Sequence, residues 1–172
     1  GDMKYVLAVT YALMILATNW ALGRWGFVPL LGVSSMMVPA GVYFAGLTFG
    51  VRDAMQEVAG LPFTLAAIVV GAGLSWFIEP SFALASGVAF LLSELLDLAV
   101  YTPLRERQWV VASVVSNIVG SLVDSMIFLA LAFHSIEGWG DLTIGKALMT
   151  AVTLPVIYLA RRRRRDLLRQ PV

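Results

Sequence analysis

The apolar stretches of this chain are too long for the interior of an ordinary soluble domain of 172 residues. Residues 109–133, WVVASVVSNIVGSLVDSMIFLALAF, hold a single ionisable group, Asp124. A helix needs about 20 predominantly apolar residues to cross a bilayer, and several windows here reach that length. Charged residues make up 13% of the chain and its mean hydropathy is +0.84. A soluble domain carries roughly a quarter charged residues. The expected class is an all-α, polytopic membrane protein.

Six transmembrane helices are expected, at about 5–22, 34–58, 62–78, 82–102, 109–133 and 142–160. They would form one integral domain over 1–172, with 161–172 as a basic cytoplasmic tail. The breaks carry turn chemistry: GRWGFVPLLG, AGLPF, EPS, PLRERQW and HSIEGWGD. The first stretch is too long for the apolar core of a leader peptide, so it is read as a crossing, with Met3 as the natural start. Pro39 and Gly41 are expected to break or kink the second helix, which is tolerated at depth where backbone lines a cavity.

Charge sets the expected orientation. With both termini in the cytoplasm, Lys4, Arg52, Arg105, Arg107, Arg161 to Arg165 and Arg169 fall inside. Only Arg24 and Lys146 fall outside, along with Glu79, Glu137 and Asp141. That bias fits the positive-inside rule and an even number of crossings. Trp20, Trp25, Trp76, Trp109 and Trp139 all fall near helix ends, as interfacial belts require. The run of five arginines reads as a topology anchor touching anionic lipid rather than nucleic acid.

Several chemistries are excluded. There is no cysteine, so there is no disulfide and no thiolate metal site, and one histidine, His134, cannot form a ligand cluster. No nucleophile stands with a base, which argues against an intramembrane enzyme. No phosphate-binding loop is present, so the chain itself is not expected to hydrolyse ATP. No metal and no cofactor is expected.

The informative residues are polar ones at membrane depth. Ser93, Glu94, Asp97 and Tyr101 recur at helical spacing on the fourth segment. Ser113, Asn117, Gly120, Ser121, Asp124 and Phe128 form a stripe on the fifth. The second offers Gly46, Phe49, Gly50, Asp53 and Glu57, with Arg52 and Gln56 alongside; the sixth offers Lys146, Thr150 and Thr153, and the first Tyr11, Thr18 and Asn19. A charge at the bilayer centre costs about 2.5–3.5 kcal/mol on insertion scales, so Glu94, Asp97 and Asp124 must face inward. Asp53 and Glu57 can equally pair with Arg52 or sit in the inner headgroup region. The serines, with Gly120, suit close helix packing. Together these faces imply a polar interior, as in a transporter with its site near the midplane. GVRDAM and SLVDSM place an aspartate in a middle segment of each half, which is compatible with a 3+3 inverted repeat.

NW at 19–20, PAGVYFAGLTFGVRDAMQE at 39–57, AFLLSELLDLAVYTPLR at 89–105, SNIVGSLVDSMIFLALAF at 116–133 and GKALMT at 145–150 together resemble the vitamin uptake transporter family. More narrowly, they resemble its queuosine-precursor transporter branch. That resemblance implies import of a 7-deazaguanine base, such as 7-cyano-7-deazaguanine, across a bacterial inner membrane. Such a base presents two adjacent N–H donors beside a carbonyl. Glu94, Asp97 or Asp124 could receive the donors, Asn117 or Asn19 could meet the carbonyl, and Phe44, Tyr43 or Phe90 could stack the ring. Arg52, Asp53, Glu57 and Lys146 are candidates for coupling or ion pairing. Coupling to protons, facilitated entry and a substrate-capture subunit with a separate ATP-driven motor all stay open, as does homo-oligomerisation.

Overall fold

The computed structural model describes residues 2–78 and 83–169. Glu79, expected on the outer side, lies outside the described residues. The elements are α1 (Met3–Trp25), β1 (Phe27–Leu30), β2 (Val33–Pro39), α2 (Val42–Ala59), α3 (Leu61–Ile78), α4 (Ala83–Phe133), α5 (Trp139–Ala151) and α6 (Leu154–Arg169).

The fold is helical, with one departure from the all-α expectation. Residues 34–41, expected as the start of the second helix, are not helical: β2 pairs antiparallel with β1. Leu30 is opposite Val33, so Leu31 and Gly32 form a two-residue turn with φ of 48° and 84°. Positive φ at both positions is the hairpin geometry that matches strand twist. Leucine is a poor residue there, and the Tyr43 hydroxyl compensates locally. It accepts from the Leu31 N–H at 2.9 Å and donates to the Pro29 carbonyl at 3.2 Å. Pro39 at the end of β2 disfavours helix for the residue before it, so α2 begins only at Val42.

Punctuation elsewhere follows glycine and proline. Gly60, with φ of 80°, separates α2 from α3 and returns its N–H to the Gln56 carbonyl at 3.0 Å. Pro62 then sits in the first turn of α3, where its missing N–H costs nothing. The expected loop between the fourth and fifth segments is instead a sharp break at Gln108, with φ −139° and ψ 72°. Beyond it α4 doubles back: Ser93 meets Asp124, and Gly120 lies against Asp97. The arms 83–107 and 109–133 are therefore antiparallel neighbours. The expected sixth helix is broken into α5 and α6, bent by 44°. The first part of the expected tail, through Arg169, continues α6.

Polarity runs inside-out. On the arms of α4, Ser93, Glu94, Asp97, Ser113, Ser116 and Asn117 are buried, while Leu95, Leu96, Val114, Val115 and Ile118 are exposed. Hydrocarbon outside and polar groups inside is the arrangement a bilayer demands. By length and composition, α1 and α4 can cross a membrane, and the bent α5–α6 pair would make a third passage. The apolar part of α3, Leu61–Leu74, is shorter.

α2 lies at the centre, touching α1, α3, α4, α5 and α6. Every residue from Thr48 to Glu57 is buried. Its glycines allow this: a Cβ on Gly46 would collide with the Lys146 backbone, and one on Gly50 with the Thr153 side chain. The Thr150 hydroxyl uses the same proximity to donate to the Gly46 carbonyl at 2.7 Å. One apolar cluster joins Tyr11, Met55, Ile68, Leu98 and Ile157. A second joins the hairpin to the helices through Leu30, Val38, Val42, Leu129 and Leu142.

Candidate functional site

Two polar layers and a cavity lie along α2. The middle layer is built on Arg52, which is fully buried. Its Nη2 contacts Asp53 Oδ1 at 2.6 Å and also pairs with Asp97. Its Nε lies 3.6 Å from Glu94 Oε2, and its Nη1 donates to the Glu94 carbonyl at 3.4 Å. The other oxygen of Asp53 accepts from Ser113 at 2.9 Å and from Asn117 at 3.0 Å. One guanidinium thus meets three carboxylates drawn from α2 and the first arm of α4.

A second layer surrounds Glu57, at the end of α2 that α6 covers. Its carboxylate accepts from the Tyr101 hydroxyl at 2.8 Å, from Arg161 at 3.0 Å and from Arg164 at 3.3 Å, with Arg105 at 3.7 Å. Gln56 beside it donates to Thr102 at 3.0 Å. Arg164 also reaches Glu106 at 3.0 Å, and that bond holds the exposed Glu106 carboxyl below the usual carboxylate range.

At the opposite end of α2 is a cavity of about 70 Å³. α1 contributes Thr18 and Asn19, and α2 contributes Thr48 and Phe49. The first arm of α4 supplies Ser86, Phe90 and Glu94; the second supplies Asp124 and Phe128; α5 supplies Lys146. Pro39 and Gly41 also line it, so the non-helical backbone before α2 does border a cavity. Lys146 is paired with Asp124 and lies 3.2 Å from Ser125, while Ser93 donates to the other Asp124 oxygen at 3.3 Å. Ser86 donates to Asn19 at 3.1 Å.

Glu94 and Asp97 are both 0% exposed and both pair with Arg52, but only Glu94 also lines the cavity, with its Oε2 3.6 Å from the Arg52 Nε. The Tyr11 hydroxyl lies beside Glu94, close enough to interact with its carboxyl group. A buried carboxylate is costly unless it is paired, and Arg52 supplies that pairing for Glu94 from the side away from the cavity.

Of the residues singled out in the sequence, the cavity gathers Thr18, Asn19, Phe49, Phe90, Glu94, Asp124, Phe128 and Lys146. Asp97, Asn117, Arg52 and Asp53 lie in the adjoining ionic layer and do not line it. Glu57 stands in the other layer. Phe44 and Tyr43 do not line the cavity, and Tyr43 serves the hairpin turn. Sequence reasoning did not single out Thr48 or Ser86. Ser86 precedes Phe90 by four residues and Glu94 by eight, so extending that helical stripe by one turn would have found it.

Residues 78–160 match a family model described as "Putative vitamin uptake transporter". That stretch takes in both arms of α4, all of α5 and the start of α6, and hence Glu94, Asp124 and Lys146. No curated protein and no solved structure matches the chain.

Proposed function

We propose that the chain is a membrane transporter that imports a queuosine precursor, a 7-deazaguanine base such as 7-cyano-7-deazaguanine. The observation that carries this reading is the buried Glu94 carboxylate on the wall of a cavity, with Arg52 behind it at 3.6 Å. The adjacent ring N–H and exocyclic amine of the base would donate to the Glu94 carboxylate from the cavity side. Asp124, held by Lys146, would take a further donor, and Phe90 or Phe49 offers a face for stacking. The match over 78–160 to vitamin uptake transporters supports a transport role.

In the same reading the chain sits in a bacterial inner membrane with both termini in the cytoplasm and crosses it six times. The crossings are α1, α2, α3, the two arms of α4 and the α5–α6 pair. The Arg-rich layer at Glu57 then marks the cytoplasmic side and the cavity faces outward. Asp53 with Arg52 and Asp124 with Lys146 are compatible with a 3+3 relation between the halves. Because the native chain lacks cysteine, single cysteines report orientation: Gly138→Cys should react with an impermeant thiol reagent from outside, and Gln108→Cys should not.

The functional test is uptake of labelled 7-cyano-7-deazaguanine into proteoliposomes holding this protein alone. Saturable uptake is the expected result. Binding without uptake would favour the reading as a capture subunit for a separate motor, and absence of binding would refute the assignment of the base.

A further inference from the structure

A second, apolar groove of about 260 Å³ lies between α1 and α3. Small side chains keep it open, Ala8 and Ala12 on one wall and Ala66, Ala67 and Gly71 on the other. Its flanks belong to the lipid-facing surface: Val9 and Leu13 on α1, and Val69 and Val70 on α3, are exposed. Along α3 the lining runs from Phe63 to Leu74, a rise of about 16 Å at about 1.5 Å per residue. That is close to half of the ~30 Å hydrocarbon thickness, the depth of one leaflet. One end of the groove is charged. Phe63, where the lining begins on α3, has the Lys4 ammonium 5.8 Å from its ring centre, and the same ammonium lies 4.9 Å from the Tyr5 ring. Among the described residues the ion pairs take up Arg52, Arg105, Lys146, Arg161 and Arg164, and Lys4 is in none of them.

We propose that this groove binds one acyl chain of an anionic phospholipid, with the lipid phosphate against Lys4. The inference rests on α1 and α3 crossing the bilayer with the Lys4 end in the inner leaflet, and not on which base is carried. Lipid tails are as apolar as the groove, so a chain gains packing there but no hydrophobic driving force. Selection among lipids therefore falls to charge. A lysine near the membrane surface favours an anionic over a net-neutral lipid by roughly fivefold. A second copy of the chain fits the groove less well. A two-fold contact sets the same patch on both subunits, and would bring together two concave walls and two unpaired Lys4 side chains.

The test is photo-crosslinking of the full-length protein in nanodiscs, using phosphatidylglycerol or phosphatidylcholine with a diazirine on one acyl chain. Mass spectrometry of the peptides locates the adducts. They are expected on the groove residues of α1 and α3, in excess over the exposed face of 109–133, and roughly threefold to fivefold more from phosphatidylglycerol. Lys4→Gln should bring that ratio to about one. Ala66→Phe, at an exposed position on the groove wall, should lower the adducts from both lipids. Adducts spread evenly over the apolar surface, or equal yields from the two lipids, overturn the proposal. A phosphatidylglycerol preference that survives in Lys4→Gln overturns it too. Absence of groove adducts together with a dimer in native mass spectrometry assigns the groove to a second copy instead. Failure of the transport reading shows separately, as absent base binding with the lipid adducts unchanged.

Discussion

Two buried glutamates divide the molecule. Glu57 and Glu94 are 2% and 0% exposed, yet their surroundings differ. Glu57 accepts from a tyrosine and two arginines and ties α2, the first arm of α4 and α6 together. Glu94 shares Arg52 with two aspartates, its Oε2 3.6 Å from the Nε, and lies on a cavity wall. A carboxylate whose lone pairs are filled by the protein is a staple. One on a cavity wall, at longer range from a cation it shares, is the one proposed to meet a ligand.

The largest effect should come from the layer between them. Arg52→Met would leave Asp53, Glu94 and Asp97 buried without their shared cation. Breaking a buried ionic group from one side costs about 3–5 kcal/mol. The expected outcome is loss of the monodisperse, folded fraction in detergent, read by size-exclusion chromatography and thermal unfolding. A normally stable Arg52→Met protein would mean that the cluster is not what holds α2 to α4.

Next is the staple itself. Glu57→Gln keeps the shape but gives up the charge shared by Arg161 and Arg164, a loss of about 1.5–3 kcal/mol for charge-assisted bonds. Thermal stability should fall while base affinity stays within about twofold. Gly50→Ala should be similar or smaller, at about 1–3 kcal/mol, because the new methyl overpacks against Thr153. The smallest effect belongs to Glu106, whose side chain is 55% exposed. Its pKa is depressed by the Arg164 bond, so its contribution is present above the ordinary carboxylate pKa and lost as pH falls through the depressed one. Glu106→Gln should be nearly silent in unfolding near neutral pH.

How much of this could be read from sequence differs by element. The stripe Ser93, Glu94, Asp97 was legible because helical periodicity and the cost of buried charge both force it inward. Its division was not. Three residues advance a helix by about 4.5 Å, enough to place Glu94 on the cavity and Asp97 against Arg52, and only the packing of the arms decides which goes where. Arg52 and Asp53, adjacent in sequence, do not face each other on a helix surface. They meet because Arg52 is enclosed and its long side chain turns between α2 and α4. The hairpin was missed because the run VSSMMVP is apolar enough to extend the neighbouring helix, and because its turn places a leucine at positive φ with support from the distant Tyr43 hydroxyl. The break at Gln108 falls inside a segment read as a loop, so the reversal was anticipated but not its abruptness.

The most direct measurement is binding of labelled deazaguanine by the unmodified protein, Glu94→Gln and Glu57→Gln, side by side in one preparation. In Glu94→Gln an amide N–H would meet a substrate N–H, with a loss of about 2–4 kcal/mol, or roughly 30- to 1,000-fold in affinity. That loss in Glu94→Gln, together with near-normal affinity in Glu57→Gln, is the expected result for a cavity-wall acceptor. Near-normal affinity in Glu94→Gln, or an equal loss in both variants, would contradict it.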